Sequence, residues 1–320
     1  MERVFLTGVS GFIGGFVARK LAAAGTEVRA VCRRTSSVPA LPQSCIVTRA
    51  DLLKPGELAA RMEGVSAVYH LAGATSAASQ EGFDIANAAV TRALVAARDA
   101  AAPDATFVYL SSQSASGPCG DGPITPYGRS KLLGEAAVRR SSNWVIARPP
   151  AVFGPGDDAL APVFRLANRG FFPFPLKKGT GFALVYVADL ADFLTRLPGC
   201  AAAREKVFEP SYGRIFTWNE FRELLEKASG KGIMPVPVPP PLVHATAFLV
   251  EAIGTFRGSC PVFDRAKGRE FLAEGWTAGI SQVKKATGWA PATDVVAALR
   301  ETWMACCSPA GKAGGKQPRT

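Results

Sequence analysis

Through the first 150 residues, six short apolar runs alternate with Ala- and Leu-rich segments, and this alternation narrows the fold more than any other feature. Val4–Leu6, Val28–Cys32, Cys45–Val47, Ala67–Leu71, Thr106–Leu110 and Trp144–Ala147 read as strands that are apolar on both faces. Phe12–Ala24, Pro55–Met62, Ile85–Ala101 and Tyr127–Arg140 read as the helices between them. Strands without a polar face must be covered on both sides, which predicts an α/β chain built on a doubly wound parallel sheet.

The texture changes after Arg148. Prolines cluster at Pro149–Pro150, Pro173–Pro175 and Pro235–Pro241, with irregular segments around helical patches at Asp189–Arg196 and Trp218–Ala228. Residues 1–150 therefore read as the sheet domain. Residues 151–305 read as a smaller C-terminal lobe, with elements returning to the sheet, that closes over the carboxyl ends of the strands, where open α/β sheets bind ligands. The Gly- and Lys-rich residues 306–320 read as a disordered tail. Pro240–Phe256 is apolar but carries His244 and Glu251 and is too short to span a bilayer, so it reads as a buried or partner-facing helix.

Charge and cysteine usage exclude several function classes. The net charge of +11 favours anionic ligands such as a phosphorylated cofactor. No basic stripe interleaved with aromatics accompanies it, so no nucleic-acid partner is expected. The seven cysteines form no Cys-x-x-Cys pair, as in a reduced, cytoplasmic chain, and the adjacent Cys306 and Cys307 read as exposed thiols near a loose end. His70 and His244 lie far apart, so no metal centre is expected. The N-terminal apolar run breaks at Gly8, so it reads as a strand rather than a signal peptide, and no membrane association is expected.

Directly after the first strand, Thr7-Gly8-Val9-Ser10-Gly11-Phe12-Ile13-Gly14 spaces three glycines three residues apart. Gly8 suits a tight turn, Gly11 lets backbone N–H groups approach a pyrophosphate, and Gly14 allows close helix–strand packing. The helix opening at Phe12 and Ile13 offers its positive end to the phosphates. A methyltransferase loop follows a first strand in the same way and stays open at this point. After the second strand, Arg33 and Arg34 stand where a carboxylate would hold an NAD ribose, so NADP(H) is favoured and NAD(H) stays open. Asp51 and Leu52 follow the third strand, where a carboxylate can accept from the adenine amino group.

Tyr127 and Lys131 lie four residues apart at the start of a helix and share a face. A lysine cation and an oxidised nicotinamide both favour the phenolate of such a tyrosine. Ser111 and Ser112 end the preceding strand and can place a hydroxyl beside the phenol. The paired Tyr and Lys set the methyltransferase aside.

Together with these residues, His70-Leu71-Ala72-Gly73, Asn87 through Thr91, Arg148 through Asp157, Val185 through Ala191 and Val283 through Pro291 make the chain resemble the extended short-chain dehydrogenase/reductases, or NAD-dependent epimerase/dehydratase family. The resemblance runs from about Glu2 to Met304 and implies a Rossmann fold and an NAD(P)-dependent enzyme. It implies Tyr127 as general acid/base, Lys131 as its activator and ribose ligand, and Ser112 as the substrate-polarising hydroxyl, with Ser111 the runner-up. Leu71, Ala72, Gly73, Asn87, Pro149 and Val152 would line the cofactor. A homodimer through the helices at Ile85–Ala101 and Tyr127–Arg140 occurs in many relatives, and a monomer stays open here.

The chain departs from the family pattern at three places. Val90 stands where the Asn-x-x-Gly-Thr helix carries Gly. Ala151 and Phe182 stand where nucleotide-sugar members commonly carry Asn and Arg. The leading expectation is therefore an oxidoreductase moving hydride between nicotinamide and a carbinol or carbonyl carbon of a small, moderately apolar substrate or a sugar without a nucleotide. Lys177 and Lys178 keep a nucleotide-sugar epimerase or dehydratase as the alternative. A dinucleotide-binding structural or assembly protein is the second.

Overall fold

A computed structural model describes residues 2–257, 261 and 263–307. Among them, twelve strands run in chain order: β1 (Arg3–Thr7), β2 (Glu27–Cys32), β3 (Cys45–Arg49), β4 (Ala67–His70), β5 (Thr106–Leu110), β6 (Trp144–Ala147), β7 (Ala151–Phe153), β8 (Phe171–Pro175), β9 (Gly181–Tyr186), β10 (Lys206–Phe208), β11 (Ile215–Thr217) and β12 (Met234–Val238). The helices are α1 (Phe12–Ala23), α2 (Pro55–Met62), α3 (Gln80–Asp84), α4 (Val90–Ala101), α5 (Pro126–Val138), α6 (Ala161–Asn168), α7 (Val187–Arg196), α8 (Trp218–Ser229), α9 (Pro240–Phe256), α10 (Arg265–Leu272), α11 (Ser281–Thr287) and α12 (Val295–Cys307).

Seven parallel strands form the main sheet in the order β3-β2-β1-β4-β5-β6-β10, so the chain reverses direction between β1 and β4. Ligands bind doubly wound sheets at the carboxyl ends beside such a reversal. Val17, Ala18, Leu21 and Leu190 cover one face, while Leu58, Met62, Leu94 and Val95 cover the other. Each fully buried aliphatic or aromatic side chain contributes about 1.5–3 kcal/mol, so both layers are needed.

A three-stranded sheet (β11-β9-β7) and a two-stranded ribbon (β12-β8) build the small lobe. The ribbon sits where the proline clusters read as irregular. Phe171–Pro175 pairs in parallel with Met234–Val238, and both strands are edges, where proline's missing N–H is tolerated. In α8, Thr217 and Glu220 form a reciprocal capping box and Gly230 closes the helix in the left-handed conformation.

One sequence expectation needs correction, and of the two readings given for another segment one falls. Cys306 and Cys307 are not loose exposed thiols: α12 continues to Cys307, because Ala298, Leu299 and Trp303 anchor it in the lobe core. Both thiols are half-buried, and Cys307 Sγ lies 3.5 Å from the Phe164 carbonyl. The rest of the tail lies outside the described residues. Pro240–Phe256 is a helix, but it is not a buried one. It contacts the lobe through Val243, Ala247 and Gly254 and leaves its opposite side exposed.

Candidate active site

The glycine loop closes on itself at the β1 exit. Gly8 has φ +86, and a Cβ there would lie 2.6 Å from the Ala72 nitrogen. A Cβ on Gly14 would lie 2.0 Å from the Gly8 carbonyl oxygen, so both glycines are required by contact. Gly11 differs, since a Cβ there would meet only the Gly8 oxygen, at 3.2 Å, within 4 Å. Gly11 is also the N-cap of α1 and provides no side-chain cap, which leaves the first-turn N–H groups around Phe12 and Ile13 for an anion. This open, uncapped cradle fits a pyrophosphate.

Behind it runs a buried polar relay. His70 Nδ1 lies 2.9 Å from Thr7 Oγ1, and His70 Nε2 lies 2.9 Å from Thr91 Oγ1. The Thr91 hydroxyl donates to the Asn87 carbonyl at 2.5 Å, so Nε2–H must be the donor to Thr91 and Nδ1 accepts from Thr7. Thr7 Oγ1 in turn accepts from the Ala72 N–H at 3.3 Å. Burial, and then the Lys131 charge, hold His70 well below the usual imidazole range, so it is neutral. The relay fixes the loop of Leu71, Ala72 and Gly73 against the glycine turn.

Asn87 spends its amide on the same loop. It donates to the Ala74 carbonyl and to Ser130 Oγ, each at 2.9 Å, and accepts from the Ala74 N–H at 2.9 Å. Asn87 sits in a π-helical turn, Ile85–Ala89, between α3 and α4, and Val90 is buried in the core that follows.

Thr125 caps α5 by accepting from the Gly128 N–H at 3.1 Å, and Pro126 opens the first turn, which leaves Tyr127 partly exposed at the N-terminal end of α5. The Ser112 hydroxyl accepts from the Ser114 N–H at 3.2 Å and lies near enough to the Tyr127 phenol to lower its pKa. Ser111 instead donates to Glu135 Oε1 at 2.6 Å and is buried, so the structure sets the second serine beside the tyrosine. Burial raises the Tyr127 pKa, while Lys267 and the Ser112 hydroxyl pull it down.

Lys131 lies on the same helix face but turns toward the sheet. Its ammonium donates to the Leu110 carbonyl at 2.6 Å and stands 4.5 Å from the Tyr109 ring centroid. Burial lowers its pKa to about 7, against the pull of Glu135.

Arg33 and Arg34 are exposed at the end of β2, and Arg49 shapes their loop by donating to the carbonyls of Arg33, Arg34 and Ser36 at 3.2, 2.6 and 3.0 Å. Asp51 is exposed and accepts from the Leu53 N–H at 3.0 Å. Leu52 points into the core, so it can offer a ligand only its backbone. The Pro149 carbonyl accepts from the Gln113 N–H at 3.0 Å. Val152 pairs with Val185 in the lobe sheet and packs near Phe12 and Ile13.

A family model described as the NAD dependent epimerase/dehydratase family matches residues 4–199. The chain belongs to this family. Among curated relatives, a ceramide reductase from Caulobacter vibrioides is 32% identical over 278 residues, covering 86% of this chain and 85% of that protein. A dTDP-6-deoxy-L-talose 4-dehydrogenase (NAD(P)(+)) from Kitasatospora kifunensis is 28% identical over 305 residues, covering 86% and 95%. A UDP-glucose 4-epimerase from Thermotoga maritima, solved with UDP-glucose, superposes with a TM-score of 0.73 at 19% identity over 94% of this chain and 97% of that one. That last likeness is one of fold. As a family member the chain is an NAD(P)-dependent oxidoreductase or epimerase acting on a small molecule.

Several residues of this family member's cleft escaped sequence reasoning. Glu135 is fully buried and accepts from Arg148 through two bonds of 2.7 Å, locking α5 to the end of β6. Its signal was available, since Glu135 follows Lys131 by one helical turn. Lys267 and Glu270 of α10 had no such signal. Lys267 pairs with Glu270 at 2.7 Å and reaches Tyr127 through lobe closure alone.

Proposed function

We propose that this enzyme reduces a lipophilic ketone with NADPH, and that the long apolar part of the substrate lies along the aromatic side of the small lobe. The observation that carries this reading is Phe182, which stands where nucleotide-sugar members carry Arg. Its ring packs 4.5 Å from Trp218 and 5.2 Å from Phe221, and Trp218 packs 4.5 Å from Phe271. Phe182 and Ala151 supply no charged hydrogen bond to a diphosphate. Lys177, a candidate to replace them, is held by the Leu272 carbonyl at 2.9 Å and Glu274 at 3.0 Å. The ceramide reductase relative supports a ceramide-like lipid ketone as the substrate class.

A nicotinamide dinucleotide held in the cleft would supply hydride to the carbonyl carbon. Tyr127 gives its phenolic proton to the carbonyl oxygen as charge develops there. The raised pKa keeps the phenol protonated at neutral pH, the state that reduction needs. Such a positioned acid contributes about 10²–10⁴-fold. Ser112 donates a second hydrogen bond to the same oxygen. When the dinucleotide is bound, Lys131 would hold its nicotinamide ribose and Gly8, Gly11 and Gly14 would admit its pyrophosphate to the N-terminus of α1. Arg33 and Arg34 would pair with a 2′-phosphate, and Asp51 with the adenine.

Exposed Leu132 and Leu133 on α5, beside Ile85, support a homodimer through α4 and α5. Six free thiols among the described residues support residence in the reducing cytoplasm. The test is NADPH oxidation with a short-chain ceramide-like ketone, alongside calorimetric titration of the cofactor-loaded protein with UDP, dTDP and GDP. Turnover of the lipid ketone without nucleotide binding is expected, and micromolar binding of any nucleotide would overturn the reading.

A further inference from the structure

We infer that α9 docks on an anionic bilayer surface, lying in the interface plane without crossing it. Leu242, Leu249, Ile253 and Phe256 recur at spacings of seven, four and three and share one side of the helix. They are 53%, 58%, 44% and 93% exposed, and the neighbouring Phe248 is 58% exposed. Val243, Ala247 and Gly254 hold the opposite side against the lobe. Thr246 lies among the exposed apolar residues, while His244, Glu251 and Thr255 lie toward one edge, so the exposed side is predominantly apolar and suits a second apolar medium. At 17 residues it is too short to cross a membrane, and no helix among the described residues is long and apolar enough to do so.

Charge selects the occupant. Arg257 ends the helix, and Arg265 and Arg269 of α10 are exposed beside it. The helix's one acidic residue, Glu251, is neutralised by Arg265 at 2.8 Å, and with Asp264 as the other nearby carboxylate, Arg257 and Arg269 leave the rim net positive. Such a rim suits anionic headgroups, with arginines reaching past their apolar stems. Two copies meeting there would press like-charged rims together on chains that each carry +11. Residues 308–320 contain no large apolar side chain, so the chain's own tail cannot cover the face.

The patch also adjoins the reaction centre. Ala247 of α9 packs against Gly268 of α10, where an added Cβ would lie 3.1 Å from the alanine. From α10, Lys267 reaches the Tyr127 ring and Glu270 reaches Thr125. A lipid leaving the bilayer at α9 is thus one helix layer from the catalytic phenol. The docking surface goes beyond the substrate reading and stands without it.

Flotation of the full chain with vesicles of phosphatidylcholine, alone or mixed with phosphatidylglycerol, tests the inference. The protein is expected to float with the phosphatidylglycerol vesicles and to be released by high salt. Combining Phe248→Ser, Leu249→Ser and Phe256→Ser should cut the bound fraction roughly tenfold or more, with thermal melting and NADPH affinity unchanged. Arg257→Glu with Arg269→Glu, which leaves the apolar face intact, should remove the preference for phosphatidylglycerol. Wild-type protein that stays unbound on both compositions overturns the inference. So does a dimer in ultracentrifugation that the triple variant dissociates, since a second copy then covers the face. Flotation without turnover of a lipid ketone would sink the substrate reading alone, and turnover of dispersed lipid ketone without flotation would sink the docking surface alone.

Discussion

The Lys267 ammonium lies 5.4 Å from the centroid of the Tyr127 ring. Lys267 belongs to the small lobe and Tyr127 to the sheet domain, so the charge at the phenol depends on how the two are joined. Glu270 makes that join. It pairs with Lys267 at 2.7 Å and accepts from Thr125 Oγ1 at 3.1 Å, and Thr125 caps the helix that carries Tyr127. Burial works against the Lys267 charge, but Glu270 more than restores it, and the net shift is upward. The lobe thus delivers a cation to the Tyr127 phenol when it packs.

Removing that cation should move the pH profile. In Lys267→Met the Tyr127 phenolate loses its nearest countercharge, and Glu270 then acts unopposed, so the phenol pKa rises further. Ser112 still stabilises the phenolate. Alcohol oxidation needs the phenolate, so the rising limb of its kcat/KM profile shifts to higher pH, while Lys267→Arg keeps it near wild type. An unmoved limb in Lys267→Met would refute a charge role.

Tyr127→Phe keeps the ring and removes the proton. Turnover should fall about 10²–10⁴-fold while NADPH affinity, measured by fluorescence titration, stays near wild type. Near-normal turnover would refute the acid/base assignment.

The proposed preference for NADPH rests on Arg33 and Arg34. Loss of a charge-assisted pair to phosphate costs about 1.5–3 kcal/mol, so Arg33→Ala should weaken NADPH roughly tenfold to a hundredfold and leave NADH unchanged. Equal affinity of wild type for both cofactors would end the argument.

Glu135 and Arg148 form a buried, two-bond pair. Arg148→Met leaves Glu135 buried with Ser111 and the more distant Arg139 at 3.5 Å. Stripping one partner from a buried pair typically costs about 3–5 kcal/mol, and Arg139 should bring the loss toward the lower end. Glu135→Gln added to Arg148→Met should recover part of it. Denaturant unfolding reads both changes.

His70 links stability to pH. It is neutral when folded, with its pKa depressed well below 6.5 by burial and then by Lys131. The unfolded chain therefore binds more protons below about pH 6.5. Its contribution is fully present above that pH and is lost as pH falls toward the folded pKa, by up to about 1.4 kcal/mol per pH unit. His70→Gln should lower stability at neutral pH and flatten this acid limb. Identical slopes in the two proteins would refute the linkage.

The sequence by itself determined the sheet and the tight glycine turn at the exit of β1. Val4 through Gly14 is one continuous strand–turn–helix, and contacts require two of its glycines: Gly14 against the Gly8 carbonyl, and Gly8 against Leu71 and Ala72 after β4. Tyr127 and Lys131 were legible for the same reason, since one helical turn sets their shared face. Tertiary structure decided the rest. Lys206–Phe208 is too short to announce itself and is a strand only because β6 offers it a free edge. The family resemblance favoured Ser112 over Ser111, and the fold supplies a physical reason, since Glu135 takes the Ser111 hydroxyl. Lys267 is an ordinary helix residue until lobe packing sets it against the phenol. Pro240–Phe256 shows the limit most plainly. Its apolar composition records a preference for leaving water, but only the arrangement of the lobe decides which side of the helix finds protein and which still faces outward.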